Sequence, residues 1–291
     1  MRFPEDAKNW PLTDHSRIIL CRPHRWHVQV AGQGPLLLLI HGAGGATQSF
    51  RDLFPRLAQQ FQVVALDLPG QGFTRIGGRQ RLGLDAMAED IGKLLEQEGW
   101  QPHAIIGHSA GAAIALRMAM DHPPPGGVIG INAALGKFRG VAGWLFPLMA
   151  KVLAFNPFSA NMFTATANAS SVGKLIKGTG SELDPDAEAL YLRLAQDRGH
   201  VDATLSMMAQ WDLDGLLEAL PSIDLPVLLI TGSRDSAVPP ETSVQAAGRL
   251  PHARVVDLDG LGHLAHEEAP ERVAAEITAW LDRQRPRQTA P

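Results

Sequence analysis

One serine in the chain stands in a setting that could make it a nucleophile. Residues 107–111 read Gly-His-Ser-Ala-Gly, a G-x-S-x-G pentapeptide. This pattern is typical of a sharp strand-to-helix turn, where small residues two positions on either side leave room for a serine with a strained backbone. Glycine, serine and alanine are common residues, so the pentapeptide alone is equally consistent with an ordinary glycine turn.

The flanking segments favour the strand–turn–helix interpretation. Residues 103–106 form a short apolar run that predicts a buried strand, and residues 112–120 are mostly strong helix formers. A serine at the start of that helix would have free backbone N–H groups and the positive end of the helix dipole beside its attack site. The sequence therefore predicts Ser109 as a nucleophile.

A serine hydroxyl needs a histidine to accept its proton and an acid to orient that histidine. Asp235 follows the apolar run at residues 227–230, and His263 follows the run at residues 255–258. Because the carboxyl ends of parallel strands meet at one edge of a sheet, these side chains could converge on Ser109. We therefore predict a Ser109–His263–Asp235 triad.

Other histidines near the predicted site have alternative roles. His266 could compete with His263, but we expect it to line the pocket or to bond a helix start. We expect His108 to be a buried, hydrogen-bonded residue of the turn. His41 is expected to brace loops through backbone hydrogen bonds, with a role near an oxyanion hole left open. Asn132 lies near the end of the preceding strand and cannot carry the acid's charge.

Strand-like and helix-like segments alternate along most of the chain. This rhythm predicts an α/β fold with a mainly parallel sheet covered by helices on both faces. The predicted strands are 16–20 and 26–30, as an opening hairpin, then 36–40, 63–66, 103–106, 128–131, 227–230 and 255–258, and the predicted helices outside the serine turn are 48–60, 84–98, 241–249 and 270–283.

The rhythm stops between about residues 136 and 220, where aromatic residues and methionines occur in helical pieces broken by prolines. We predict a core at residues 1–135 and 221–291 and a helical cap at residues 136–220. A cap over the carboxyl edge must line the pocket, so we expect an apolar site for a bulky hydrophobic substrate. The predicted pocket residues are His41, His108, Trp144, Phe146, Trp211 and His266.

Composition excludes several classes of function. With 26 Lys and Arg against 30 Asp and Glu, the chain has a net charge of −4 and lacks a basic cluster that would track nucleic-acid phosphates. The sequence shows neither a phosphate-loop lysine nor an H-E-x-x-H spacing, so we expect no cofactor and no metal. Cys21 is the only cysteine, which rules out an internal disulfide and fits a reducing compartment.

We expect neither a signal peptide nor a membrane span in this chain. Acids and a proline among the first six residues argue against a signal peptide. The most apolar stretch, residues 141–160, is interrupted by a lysine and two prolines and falls short of a membrane span. We therefore expect a cytoplasmic protein, with peripheral contact with a membrane surface left open.

The motifs taken together resemble those of the α/β-hydrolase superfamily. They comprise His-Gly-Ala-Gly-Gly at 41–45, Asp-Leu-Pro-Gly-Gln-Gly at 67–72, the serine pentapeptide, the Asp235 loop and Gly262-His263, in the chain order Ser, Asp, His. The resemblance implies an oxyanion hole formed by the backbone N–H groups of Ala43 and Ala110. One departure is Gln71, where many relatives carry histidine, and this departure bears on substrate contacts more than on catalysis.

A narrower resemblance spans nearly the whole chain. Segments 10–11, 26–29, 107–113, 131–135 and 146–151 are similar to the BchO group, α/β-hydrolase-like proteins encoded among bacteriochlorophyll synthesis genes and described as magnesium-chelatase accessory proteins. This resemblance implies a tetrapyrrole as the hydrophobic ligand and an association with magnesium chelatase.

The leading functional hypothesis is a cofactor-independent serine hydrolase that acts on esters. The alternative from another class is a non-catalytic, tetrapyrrole-binding accessory protein that assists magnesium insertion. A triad that runs lyase or perhydrolase chemistry stays open, because this scaffold hosts many reactions. Serine at position 109 disfavours the aspartyl nucleophile of dehalogenases and epoxide hydrolases.

Overall fold

An eight-stranded sheet runs through the computed structural model, which describes residues 1–136 and 159–284. Its spatial order is β1-β2-β4-β3-β5-β6-β7-β8, with β1 and β2 forming an antiparallel hairpin, β2 antiparallel to β4, and each later pair parallel. The mainly parallel sheet is thereby confirmed. The strands are β1 (Ser16–Cys21), β2 (His24–Ala31), β3 (Leu36–Ile40), β4 (Gln62–Leu66), β5 (Ala104–His108), β6 (Val128–Ile131), β7 (Val227–Gly232) and β8 (Ala253–Leu258).

Helices cover both faces of this sheet, as expected. The central strand β3 shows why its run is wholly apolar: Leu36, Leu38 and Ile40 pack into one core, and Leu37 and Leu39 into the other. The described helices are α1 (Leu53–Leu57), α2 (Leu84–Glu98), α3 (Ala110–Asp121), α4 (Ser159–Thr166), α5 (Ala169–Gly178), α6 (Pro185–Gln196), α7 (Arg198–Gln210), α8 (Asp214–Ala219), α9 (Pro240–Ala247), α10 (Ala265–Glu268) and α11 (Pro270–Gln284).

The helix predicted over residues 48–60 is much shorter than expected. A 3₁₀ turn, Thr47–Phe50, precedes the five-residue α1. All four residues of the turn are buried, so this segment has no solvent-facing side. Pro55 lies in the first turn of α1, and its missing N–H would interrupt a helix that began earlier.

The chain between β6 and β7 is mostly helical where it is described. Residues 159–222, which we call the insertion, contain α4 to α8 and a final 3₁₀ turn. The division into a core at 1–135 and 221–291 and a cap at 136–220 stays a prediction. Within the described ranges, every helix is too short or too polar to cross a bilayer.

Candidate functional site

Ser109 stands alone between β5 and α3, in the strand–turn–helix setting that its pentapeptide predicts. Its backbone has φ 52° and ψ −116°, and its N–H donates to the Ile131 carbonyl at 2.9 Å. A Cβ atom at Gly107 would collide with the backbone of Gly111, and one at Gly111 would collide with the Ile40 carbonyl oxygen. The two glycines therefore allow the close backbone approach that presents Ser109 at the carboxyl edge.

Asp235 and His263 are hydrogen-bonded to each other in the loops that follow β7 and β8. The His263 Nδ1–H donates to Asp235 Oδ2 at 2.8 Å, and both residues are buried. The other carboxylate oxygen accepts from the N–H groups of Ala237 at 2.9 Å and Val238 at 2.8 Å. These bonds fix the carboxylate and leave His263 Nε2 as the nitrogen that can accept a proton.

His108 ties the serine turn to the loop of His263. Its Nε2–H donates to the His263 carbonyl at 2.9 Å, and the two rings lie 4.9 Å apart. Burial, and then the positive charge of neighbouring His266 when protonated, lowers the pKa of His108 well below its usual range. Among the described residues the Ser109 hydroxyl has no hydrogen-bond partner, so the structure joins His263 to Asp235 but does not join His263 to Ser109.

The residues expected to form the oxyanion hole are Ala110, at the start of α3, and Ala43, in the loop after β3. Ala110 is the first residue of α3, so its N–H has no acceptor in a preceding helical turn. Ala43 is an exposed residue in the otherwise largely buried loop after β3. The next N–H in that loop, from Gly44, donates to Gln71 Oε1 at 2.9 Å, while Gln71 Nε2 lies 3.3 Å from Met207 Sδ. Gln71 therefore braces the loop that carries Ala43.

His41 is enclosed by backbone rather than open to a pocket. It has no exposed surface, its Nδ1–H donates to the Gly42 carbonyl at 2.7 Å, and its Nε2 accepts from the Leu68 N–H at 2.9 Å. Burial lowers the pKa of His41. This geometry favours the bracing role over a place in the pocket lining.

His266 is the least satisfied polar side chain beside the site. It is fully buried between His108 and Phe50, with ring centroids 4.5 and 5.4 Å away, and neither ring nitrogen has a partner among the described residues. Burial lowers its pKa to about 3, so it is a neutral imidazole at pH 7. Trp211 is partly buried at the end of α7, and Trp144 and Phe146 lie outside the described residues. The pocket lining stays a prediction.

Asn132 is a site residue that the sequence interpretation missed. Its Nδ2 donates to Asp235 Oδ2 at 2.8 Å and to the Gly262 carbonyl at 3.2 Å. Its left-handed backbone, with φ 49°, starts the turn immediately after β6. Its position at the end of the strand next to β7 could have identified it. In the sequence we considered Asn132 only as an acid, and an amide cannot carry that charge.

A second Ser–His–Asp set occurs elsewhere in the fold. The His27 Nδ1–H donates to Asp67 Oδ2 at 2.8 Å, and the Ser16 hydroxyl lies 3.0 Å from His27 Nε2. Asp67 also accepts from the N–H groups of Thr47 at 2.7 Å and Phe73 at 2.8 Å. Since Ser16 begins a strand and Asp67 joins two loops, this set braces the fold.

Buried acids outside the predicted triad are also paired with basic side chains. Asp90 accepts from His24 Nε2–H at 3.0 Å and from two nitrogens of Arg81 at 2.7 Å each. Across residues 1–136 and 159–284, no group of three or more His, Cys, Asp or Glu side chains is arranged to hold a metal ion.

Comparison with known proteins identifies the family to which the chain belongs. The family model described as alpha/beta hydrolase fold matches residues 35–270. The magnesium-chelatase 30 kDa subunit of Rhodobacter capsulatus is 46% identical over 277 residues, covering 94% of this chain and 97% of that protein. The pimeloyl-[acyl-carrier protein] methyl ester esterase of Aeromonas hydrophila subsp. hydrophila is 30% identical over 252 residues, covering 84% of this chain and 94% of that protein.

Solved structures agree on the fold. The ligand-free epoxide hydrolase CorEH has a TM-score of 0.78 at 20% identity, covering 93% of this chain and 99% of that one. A thermophilic esterase from Thermogutta terrifontis has a TM-score of 0.70 at 22% identity, covering 93% of this chain and 98% of that one. The chain therefore belongs to the α/β-hydrolase family, and within it is related to the BchO group that its sequence resembles.

Proposed function

We propose that this chain is a cofactor-independent serine hydrolase that cleaves an ester bond in a hydrophobic substrate. The observation that carries the proposal is the 2.8 Å hydrogen bond from His263 Nδ1–H to Asp235 Oδ2. His108, next to Ser109, bonds the carbonyl of the same His263 and so connects the serine turn to this pair. The similarity to a relative named as a methyl ester esterase supports the same class of reaction.

In the proposed mechanism, the Ser109 oxygen attacks the ester carbonyl while His263 Nε2 accepts the hydroxyl proton. The protonated His263, held by Asp235, then gives this proton to the departing alcohol as the ester C–O bond breaks. His263 Nε2 next takes a proton from water as the water oxygen attacks the acyl-enzyme. The bond between the acyl carbon and the Ser109 oxygen then breaks, His263 returns the proton to Ser109, and the carboxylic acid leaves. The N–H groups of Ala43 and Ala110 would stabilise the oxyanion, and losing one such donor typically costs about 10²- to 10³-fold in rate.

Labelling with a fluorophosphonate probe tests this proposal. We expect the wild-type protein to be labelled at Ser109 and Ser109→Ala to be unlabelled. Ser16→Ala is the matched control, because Ser16 belongs to the other Ser–His–Asp set and its loss should leave labelling intact. Unlabelled wild-type protein, under conditions in which a control esterase reacts, would contradict the proposal.

A second candidate is a tetrapyrrole-binding accessory protein that works without turnover and associates with magnesium chelatase. The 46% identity with a protein named as a magnesium-chelatase subunit favours it. Porphyrin fluorescence titration should then show binding by wild type and Ser109→Ala alike, and both should restore pigment synthesis to a deletion strain. This candidate fails if Ser109→Ala binds porphyrin but abolishes pigment synthesis. Co-purification with chelatase subunits tests the association.

A further inference from the structure

A turn of the insertion lies against both loops that carry the predicted acid and base. We call residues 178–181, Gly-Thr-Gly-Ser, the bridging turn; it begins at the last residue of α5 and precedes α6. The acid loop is residues 233–238, and the base loop is residues 260–264. The bridging turn is more than 50 residues from either loop in sequence, so only the fold brings them together.

One carbonyl of the bridging turn joins the two loops. The Thr179 oxygen accepts from the N–H of Ser236 at 3.2 Å and from the N–H of His263 at 3.3 Å. The Ser236 hydroxyl adds a bond to the Gly178 carbonyl at 2.8 Å. The backbone of the base itself is therefore bonded to the same atom as the acid loop.

Ser181 holds the residue that follows the base. Its side chain is fully buried, and its oxygen accepts from the Leu264 N–H at 2.8 Å. Two successive backbone N–H groups, those of His263 and Leu264, are thus bonded to the bridging turn. Buried N–H groups that lose their acceptor are costly, so this arrangement strongly constrains the base loop.

The contact is too close for side chains. A Cβ atom at Gly180, where φ is +81°, would collide with the Arg234 carbonyl oxygen. A Cβ atom at Gly262 would collide with the backbone of Gly180. The backbone of the bridging turn therefore packs directly on the backbone of the acid loop and of the base loop. A displacement of the turn would have to move both loops.

The insertion is anchored again just beyond the base loop. The Tyr191 hydroxyl of α6 donates to Glu267 Oε1 at 2.6 Å, and the other oxygen of Glu267 accepts from Arg51 at 2.5 Å. Glu267 is buried, and this burial raises the pKa of its carboxyl to about 7. Bonds to the insertion thus lie at His263, at Leu264 and at Glu267.

We propose that the bridging turn is a positioning element of the site, which sets the separation of Asp235 and His263 and couples their hydrogen bond to the placement of the insertion. The inference rests on the proposed hydrolase function. A substrate that moves the insertion as it enters would thereby adjust the base before attack. The rival explanation is that the turn only adds packing between the insertion and the sheet.

Ser181→Ala is the direct test, with Ser171→Ala as its matched control. Ser171 lies in the same insertion, in an exposed capping box at the start of α5, where its hydrogen bonds are with Asn168. We expect Ser181→Ala to lower kcat for a p-nitrophenyl ester by about 10- to 100-fold, the cost of a small misplacement of a reacting group. KM should change little, and the acidic limb of the kcat/KM pH profile should move. Ser171→Ala should keep wild-type kinetics.

A second readout does not depend on turnover. The far-downfield proton resonance of the His263 Nδ1–H···Asp235 bond should shift or broaden in Ser181→Ala and stay unchanged in Ser171→Ala. If wild type neither hydrolyses esters nor reacts with the fluorophosphonate but Ser181→Ala still moves this resonance, the hydrolase proposal fails and the positioning role stands. A less stable Ser181→Ala with unchanged kcat, pH profile and resonance would overturn the positioning role. Should Ser181→Ala not fold, Ser236→Ala, at an exposed position, should give a smaller change in the same direction.

Discussion

The side-chain amide of Asn132 donates a hydrogen bond to Asp235 Oδ2, with 2.8 Å between the nitrogen and the oxygen. That oxygen also accepts from His263, and the second carboxylate oxygen accepts two backbone N–H groups. Four donors therefore converge on one buried carboxylate. Asn132 and Asp235 follow β6 and β7, which are neighbours in the sheet. The side chain at position 132 therefore lies beside the carboxylate oxygen that His263 contacts.

Moving the acid from one strand end to the other tests this relationship. We expect Asp235→Asn to lower kcat for ester hydrolysis by about 10³- to 10⁴-fold, because an amide cannot hold His263 in the required tautomer or stabilise its charged form. The double variant Asn132→Asp/Asp235→Asn should recover at least about tenfold of that loss, since roughly 1.4 kcal/mol of restored stabilisation suffices. A double variant no more active than Asp235→Asn would show that position 132 cannot serve the base. Kinetics of ester hydrolysis measure all three proteins.

The serine turn should tolerate no side chain at its second glycine. In Gly111→Ala, the new methyl group would meet the Ile40 carbonyl, and we expect a loss of stability of about 3 kcal/mol or more. Gly92→Ala is the matched control, because Gly92 lies inside α2 and a Cβ atom there would meet only open space. That change should stabilise the protein by roughly 0.5–1 kcal/mol. Urea unfolding compares the two, and equal effects would refute the close approach at the turn.

Gln71 should affect the rate through the Ala43 loop. Gln71→Ala removes the acceptor of the Gly44 N–H, so the N–H of Ala43, the proposed oxyanion donor beside it, would lose its fixed orientation. We expect kcat to fall by about tenfold, or roughly 1.4 kcal/mol, with KM little changed. Gln97→Ala, which removes an exposed amide bonded to the Leu20 carbonyl, should leave the kinetics as in wild type. A rise in KM alone would instead assign Gln71 to substrate binding.

The buried His200 should make the protein sensitive to acid. Burial, followed by the nearby His41, lowers the pKa of His200 from 6.5 to about 4. The ring has both nitrogens engaged, since Nδ1 accepts from the Gly72 N–H at 3.1 Å and Nε2–H donates to the Gly44 carbonyl at 3.1 Å. Between pH 6.5 and about 4, the imidazole at position 200 is protonated in the unfolded chain but stays neutral in the folded protein. The stability contributed by the neutral His200 is therefore complete above pH 6.5 and is lost as the pH falls toward about 4.

Replacing this histidine should flatten the acid limb of the stability curve. In His200→Gln, the slope of the free energy of unfolding against pH should fall by at most about 1.4 kcal/mol per pH unit between pH 6.5 and about 4. His252→Gln, at an exposed imidazole that pairs with Asp224, is the control and should keep the wild-type slope. Denaturant titrations at several pH values measure it. An unchanged slope in His200→Gln would mean that the folded protein already protonates this ring.

Local signals predicted the sheet well and one helix poorly. The hairpin and the apolar runs correspond to the strands observed, because a strand buried on both faces needs apolar residues at successive positions. The alternation of segments predicted a helix at 48–60, yet the buried turn Thr47–Phe50 and the proline in α1 restrict its helix to five residues. Burial of the four turn residues outweighed helix propensity there.

The sequence by itself determined the fold family and nominated Ser109, Asp235 and His263, because each stands in a short motif after an apolar strand and parallel strands present such positions at one edge. Only the tertiary structure decided what surrounds them. Asn132 meets Asp235 across 103 positions of chain, Gln71 meets the Ala43 loop, and the bridging turn meets both the acid and base loops. These contacts depend on strand register and on how the insertion docks, which follow from the packing of distant segments and leave no local pattern in the sequence.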